Sequence, residues 1–270
     1  MLYVVATPIG NLEDITFRAV RILKEVRWIA CEDTRTTRRL LDHYDIQTPA
    51  ISYHDHNEAT RAPELAARLA AGEDGALVSD AGMPLVSDPG YRLVRAAIDA
   101  GVRVVPLPGP SAVITALAAS GLATDTFQFR GFLPEKTGKR RVELEALRDE
   151  PGTIIFFEAP HRILDTLSEI DEILGPRQVV VARELTKIYE EFLRGTASEV
   201  RAQLAARESV KGEITLLIGK ATAPSVDETP LPEALAKRVA AGQDRMDAIK
   251  ALAKERGLSK REVYKQLLID

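Results

Sequence analysis

Residues 77–90 read Leu77-Val78-Ser79-Asp80-Ala81-Gly82-Met83-Pro84-Leu85-Val86-Ser87-Asp88-Pro89-Gly90. The stretch opens as the end of a short apolar strand, Ala76-Leu77-Val78, and breaks into two polar turns. It passes into a helical pattern at Tyr91-Arg92-Leu93-Val94. Loops leaving the carboxyl end of a strand are where open α/β sheets bind small molecules. This one is long for its kind, because strand-to-helix connections usually run ~2–6 residues. It holds two carboxylates, two glycines that permit close backbone approach and two prolines that stiffen it. Asx-type turns would account for Asp80 and Asp88 taken singly. The loop as a whole favours a ligand.

Working outward, the pattern repeats. Apolar runs at Leu2–Ala6, Trp28–Cys31, Ala50–Ser52 and Val102–Val105 each stop at a polar or Gly/Pro-rich turn. Helical spacing follows at Ile15, Ala19, Ile22 and Leu23, at Arg38–Leu41, at Ala62–Ala71 with Pro63 in its first turn, and at Leu93–Ala100. Strands alternating with helices predict an α/β fold with a mostly parallel sheet covered on both faces. The Gly- and Pro-rich loops Thr7–Asn11, Ser79–Gly90 and Pro106–Ser111 then meet at one sheet edge. A helix rich in small residues, from Ser111 to near Gly121, makes a natural passage to a second domain.

Beyond it the rhythm changes. Phe127-Gln128-Phe129, Thr153–Phe157, Val179–Ala182 and Glu213–Ile218 read as strands, with a helix at Ile163–Leu174 and a charged ribbon from Arg183 to Gly195. Strands outnumber helices, which predicts a mixed sheet. Lys136, Lys139, Arg140 and Arg141 cluster in what reads as a loop carrying Gly138. The expected organisation is an N-terminal α/β domain over 1–115 and a second α/β domain over 116–222. A Pro-rich linker over 223–232 and a helical, helix-turn-helix-like tail over 233–270 follow, the latter with helices at Met246–Arg256 and Ser259–Leu268.

At 270 residues the chain has room for about two domains of roughly 150 residues. A hydrophobic fraction of 45% and a charged fraction of 28% are ordinary for a globular protein. The net charge of −4 excludes a generally basic nucleic-acid binder, so any such contact is local. The tail carries a net +3 against −7 for the rest. The single cysteine, Cys31, excludes an internal disulfide and a Cys-rich zinc site and suits a reducing cytoplasm. No basic n-region or membrane-length apolar run is present, and the expectation is a cytoplasmic protein with no membrane contact.

None of the loops is a GxGxxG or GxxxxGK[ST] signature, and no HExxH or paired-cysteine motif occurs. His54 and His56 with Asp55 read more simply as surface hydrogen-bonding groups than as ligands, and no metal is expected. Phe156 and Phe157 point opposite ways in a strand, so at most one faces a cleft.

Taken together, LYVVATPIGNLEDITFRA, CEDTRTTRRLL, SYHDHNE, LVSDAGMPLVSDPG, PLPGPSA, GFLP, FFEAPHRI and ARELTKIYEEFLRG resemble the tetrapyrrole-methylase-like (class III) methyltransferases. Within them they are most similar to the 16S rRNA (cytidine-2′-O)-methyltransferases, in register from Leu2 to about Gly219. Ala6-Thr7-Pro8-Ile9-Gly10 stands where the tetrapyrrole enzymes usually show a GxGxG turn, which argues for the RNA branch. The resemblance implies S-adenosylmethionine held between two α/β domains by Pro8, Ile9, Asp80, Met83, Ser111, Ala112, Phe157, Leu185 and Ile214. It also implies a homodimer acting on 16S rRNA of the small ribosomal subunit.

Asp88, Glu158, Glu184 and Lys187 are the candidates for activating a ribose hydroxyl, and no spacing rule chooses among them. Each has an equally simple reading as a structural ion pair. Lys136, Lys139, Arg140 and Arg141 are the candidates for phosphate contact, against the plainer reading of a solvated charged face. Two rivals remain open at this point. One is a small-molecule methyltransferase of the tetrapyrrole or corrin type. The other is a non-enzymatic helix-turn-helix regulator with a nucleotide-sensing body.

Overall fold

The first strand is apolar throughout and central. β1 (Leu2–Val5) pairs on both sides in a five-stranded parallel sheet with β2 (Trp28–Cys31), β3 (Ala50–Ser52), β4 (Gly75–Val78) and β5 (Val104–Leu107), in the order β3-β2-β4-β1-β5. The computed structural model describes residues 1–221, 229–255 and 258–267. Helices α1 (Phe17–Glu25) and α2 (Thr34–His43) cover one face, packing Ile22, Leu23 and Leu41 on Ile29 and Val78. On the other face α3 (Glu58–Ala70) and α4 (Tyr91–Asp99) pack Leu65, Leu69 and Leu93 on Trp28 and Leu77. A parallel sheet apolar on both faces needs this double cover.

Two boundaries differ from expectation. β5 starts at Val104 rather than Val102, because the Val102 N–H closes the end of α4 on the Ala97 carbonyl. The strand then runs through Pro106, which an edge strand accepts because the missing N–H is not needed for pairing. α3 begins at Glu58, so Pro63 lies inside the helix and not in its first turn. The turn His54–Asn57, whose His54 carbonyl accepts the N–H groups of Asn57 and Glu58, starts the helix early.

α5 (Ala112–Ser120) ends at Gly121, whose φ of +80° a glycine adopts without strain. Its last carbonyls, on Ala119 and Ser120, accept hydrogen bonds from the Arg194 guanidinium. Past α5 a second sheet forms from β6 (Phe127–Phe132), β7 (Thr153–Glu158), β8 (Gln178–Arg183), β9 (Glu191–Thr196) and β10 (Ile214–Ile218), ordered β6-β7-β10-β8-β9. β6 and β7 are parallel and the remaining pairs antiparallel, as the change of rhythm implies. α5 packs Val113, Ala116 and Leu117 on one face, against Ile155, Val180 and Leu217. α6 (Thr137–Ala146), α7 (Ile163–Leu174) and α8 (Ala197–Ala205) cover the other face, where Leu144, Leu167 and Val200 meet Phe156 and Leu216.

The residues read as a basic loop therefore run from Lys136, which caps α6, into the first half of that helix. Arg140, Leu144 and Leu147 recur at helical spacing and are all buried, and that inward face fixes the helix despite Gly138. α8 has no counterpart in the expectation, although Thr196 and Glu199 form a capping box at its start.

The described residues divide into two compact units, Met1–Lys220 and Ala221–Asp270. The second consists of α9 (Leu231–Ala240), α10 (Arg245–Glu255) and α11 (Lys260–Leu267), with a small core of Leu231, Leu235, Ile249, Leu252 and Val263. α10 and α11 correspond to the two helices expected at Met246–Arg256 and Ser259–Leu268. The linker reading over 223–232 needs correction at its end, because Leu231 and Pro232 open α9, where proline is well placed. Residues 222–228, 256–257 and 268–270, which include most of that linker, the Gly257 turn and the end of the last expected helix, lie outside the described residues. No helix among the described residues is long and apolar enough to cross a membrane.

Candidate active site

The three loops at the carboxyl edge of the first sheet are tied together. Thr7 and Gly82 exchange backbone hydrogen bonds of 2.9 and 3.0 Å, and the Thr7 hydroxyl donates to the Ser79 carbonyl. The third loop comes close at Gly109, where a β-carbon would stand 2.7 Å from that of Ala6. The first loop also reaches the second sheet. The Asn11 N–H donates to the Thr186 hydroxyl, and a β-carbon at Gly10 would lie within 2.8 Å of the Leu185 carbonyl. Only glycine fits there, so the approach of the two sheets is written into the sequence at that position.

Between these loops and the edge of the second sheet lies a cavity of about 410 Å³, within the ~300–1,000 Å³ usual for small-molecule sites. Its walls are mainly apolar, with Ile9, Met83, Val113, Phe157 and Ile214, and a few polar groups enter it from Asp88, Ser111 and Thr215. Gly82, with φ +82°, leaves bare backbone in the lining between Ile9 and the Pro110 carbonyl. Apolar walls suit an adenine ring and a thioether chain, and hydroxyl and carboxylate groups suit ribose hydroxyls and an ammonium. The donor set thus fits S-adenosylmethionine.

Of the residues expected to hold the cofactor, Ile9, Met83, Ser111, Ala112, Phe157 and Ile214 line the cavity. Pro8, Asp80 and Leu185 stand outside the lining. Leu185 is buried against Ile9 and so supports that wall from behind. Asp80 accepts the Asp33 N–H at 3.1 Å, and burial raises its carboxyl above the usual range. Strand alternation separates the two phenylalanines as expected: Phe156 is in the core on the α7 side and Phe157 faces the cavity. Val113, Phe132, Pro160 and Thr215 also line it and were not anticipated. The pairing of β7 with β10, which sets Ile214 and Thr215 beside Glu158 and Phe157, has no local sequence signal.

The candidate activating groups separate sharply. Glu158 lines the cavity, but its carboxylate is buried and accepts from Arg162, from the Thr166 hydroxyl and from the Ala159 N–H. Glu184 and Lys187 pair with each other at 2.9 Å, and Glu184 also accepts the Glu213 N–H; neither lines the cavity. All three are held in hydrogen-bonded ion pairs. Asp88 lines the cavity half-buried, and burial together with the Glu32, Asp80 and Asp55 carboxylates pushes it up to about 6, against the opposing Ser79 hydroxyl.

The basic cluster separates too. Arg140 is buried in a two-pronged pair with Glu169, at 2.6 and 2.8 Å, and Arg141 pairs with Glu172 at 2.7 Å. The Arg140 guanidinium is thus spent inside the fold, which corrects its reading as a phosphate contact, whereas the Arg141 pair lies at the surface. Lys136 and Lys139 are exposed at the start of α6 and form no ion pair among the described residues.

Paired α/β sheets with an apolar cavity between their loop edges define the class, and comparison agrees. The family described as tetrapyrrole (corrin/porphyrin) methylases matches residues 1–201. Solved structures of this fold include diphthine synthase, at a TM-score of 0.64 and 13% identity over 82% of this chain and 90% of that one. Uroporphyrin-III-C-methyltransferase from Thermus thermophilus gives 0.56 and 18%, covering 82% and 94%.

Nearer relatives narrow the family. The chain is 49% identical to ribosomal RNA small subunit methyltransferase I of Halalkalibacterium halodurans, over 97% of this chain and 93% of that protein. It is 50% identical to the protein of that name from Synechocystis sp., over 98% and 96%. The chain belongs to this methyltransferase family, within the tetrapyrrole methylase fold.

Proposed function

We propose that the protein transfers a methyl group from S-adenosylmethionine to the ribose 2′-hydroxyl of a cytidine in 16S rRNA of the small ribosomal subunit. The observation that carries this reading is the mainly apolar cavity, with an Asp88 carboxylate that forms no ion pair among the described residues, in a chain about half identical to small-subunit rRNA methyltransferases. S-adenosylmethionine, when bound, supplies an activated methyl on sulfur. Ile9, Met83, Phe157 and Ile214 furnish the walls that hold it, and Ser111 and Thr215 the hydroxyls.

A ribose hydroxyl is a weak acid, so a neighbouring base assists its attack. Asp88 serves as that base, since it lines the cavity while Glu158, Glu184 and Lys187 are held in ion pairs. Its acidic neighbours raise its proton affinity towards neutrality, where a base both accepts and releases a proton readily. Orientation supplies much of the remaining rate, as well-placed groups reach effective molarities of roughly 10⁵ M or more. Lys136 and Lys139 hold RNA phosphates.

The reading further takes 1–115 and 116–222 as two α/β domains, with 233–270 as a positively charged RNA-binding aid. It takes the active form as a cytoplasmic homodimer.

The test is transfer of labelled methyl to small ribosomal subunits and to naked rRNA. Label recovered in an alkali-stable dinucleotide places the methyl on a 2′-oxygen. Bound S-adenosylmethionine with no label in any rRNA would overturn the RNA assignment in favour of a small-molecule acceptor.

A further inference from the structure

In a regular strand, residues three apart face opposite sides of the sheet. Phe129 and Phe132 of β6 do not. β6 pairs Phe129 with Ile155 and Phe132 with Phe157, so three steps on β6 match two on β7. That extra residue is a β-bulge, and Gly131 sits in it with φ +67°. The bulge reverses the alternation and brings both rings to the Phe157 side. Phe129 and Phe157 meet edge-on with centroids 4.8 Å apart, and Phe132 and Phe157 at 5.6 Å. Phe157 forms a cavity wall, whereas Phe132 stands at the cavity with 58% of its surface exposed. Across from the bulge is the loop of Asp88, where a β-carbon on Gly131 would lie 3.6 Å from the Ser87 hydroxyl.

An exposed phenylalanine costs solubility and gains nothing from the core. Here a strand irregularity aims it at the site, and its edge contact with Phe157 fixes its orientation. Four and seven residues further on, Lys136 and Lys139 stand exposed. An aromatic face beside cations is the arrangement by which proteins hold single-stranded nucleic acid, the base on the ring and the backbone on the charges. Sequence-specific RNA recognition, moreover, favours single-stranded segments whose splayed-out bases stack on aromatic side chains.

We infer that Phe132 is the platform on which the unstacked pyrimidine of the target nucleotide lies, placing its ribose towards Asp88. This rests on the proposed RNA methylation and adds the base-binding subsite. A cofactor wall or a subunit contact would also use an exposed aromatic, and the experiment separates these.

Phe132→Ala, Phe132→Leu and Phe132→Trp are compared with wild type for kcat/KM on small subunits or rRNA, whichever the wild type methylates. S-adenosylmethionine affinity by calorimetry and oligomeric state by sedimentation are measured alongside. Loss of a stacking contact predicts a roughly 10–100-fold fall in kcat/KM for Ala and Leu, and recovery in Trp. Cofactor affinity and sedimentation stay unchanged. Because the chain's own Trp28 is fully buried, Phe132→Trp also gives a fluorescence signal that rRNA should quench.

Leu performing as well as wild type, cofactor affinity falling in step with activity, or dissociation of a dimer would each overturn the inference while leaving rRNA methylation standing. A wild type that methylates no rRNA removes the proposed function itself.

Discussion

At the scale of single residues, Asp88 is the group whose environment departs most from its neighbours in the site. Its carboxyl sits at about 6, raised from an ordinary 3.8 first by burial and then by Glu32, Asp80 and Asp55. A base of that kind is protonated below about pH 6, so methyl transfer should fall roughly tenfold per unit on the acid side of that value. Asp88→Asn should be slow at every pH and lack that limb; an unchanged pH–rate profile in the variant would remove Asp88 from catalysis. The same raised value has a sign for stability. The native state prefers the protonated acid, so the penalty is absent below about pH 4, develops as pH rises through 6 and is complete above it. Asp88→Asn should therefore gain on the order of 1–2 kcal/mol over wild type at pH 8 and nothing at pH 3.5, measured by denaturant unfolding. The position of Asp88 in a Gly/Pro-rich loop was legible in the sequence. Its distinction from Glu158, Glu184 and Lys187 was not, because spacing alone does not say that Glu158 turns to Arg162 and Thr166, or that Glu184 accepts from both Lys187 and the Glu213 N–H.

Among elements, α6 shows how a charge run conceals a helix. Lys136, Lys139, Arg140 and Arg141 look alike as letters, yet one helical turn sends Arg140 inward to Glu169 of α7 and leaves the lysines in water. Removing one partner of a buried pair strands the other charge, at about 3–5 kcal/mol. Arg140→Ala should cost about that much in thermal or denaturant unfolding. Lys136→Ala with Lys139→Ala should leave stability within about 0.5 kcal/mol and weaken rRNA association in a salt-dependent way. An Arg140→Ala protein as stable as wild type would show that the pair with Glu169 does not anchor α6. The spacing of Arg140, Leu144 and Leu147 carried the helix signal, but the basic run and Gly138 outweighed it. β1 to β4 were legible because short apolar runs end abruptly at polar, Gly- or Pro-rich turns. The bulge in β6 was not, since a glycine in a strand has several uses and only pairing with β7 reveals which one.

For the molecule as a whole, topology decides what can be removed. β10 is the last strand of the first unit in sequence, yet it lies in the middle of its sheet, paired to β7 through five residues and to β8 through five. A chain ending after α8 would leave Ile154–Phe157 and Val179–Ala182 with open, apolar strand edges, a template for aggregation. Residues 1–205 should accordingly accumulate as insoluble protein, whereas residues 1–220 should give a folded species with a cooperative unfolding transition. Recovery of a soluble, cooperative 1–205 fragment would contradict the central role of β10. The α/β alternation of the first half told where its loops converge. The second sheet could be recognised as mixed, but the sequence carries no mark of which strand lies between which.

The order of those strands also bears on synthesis. β1 emerges first but lies between β4 and β5, and β10 emerges last but closes the second sheet between β7 and β8. During translation at about 5–20 residues per second, each sheet stays incomplete for seconds after its first strand appears, until the chain has supplied residue 107 for one and residue 218 for the other. Over that interval the nascent chain carries unpaired apolar segments, so its yield in the cell depends on elongation speed and on chaperones that shield strands.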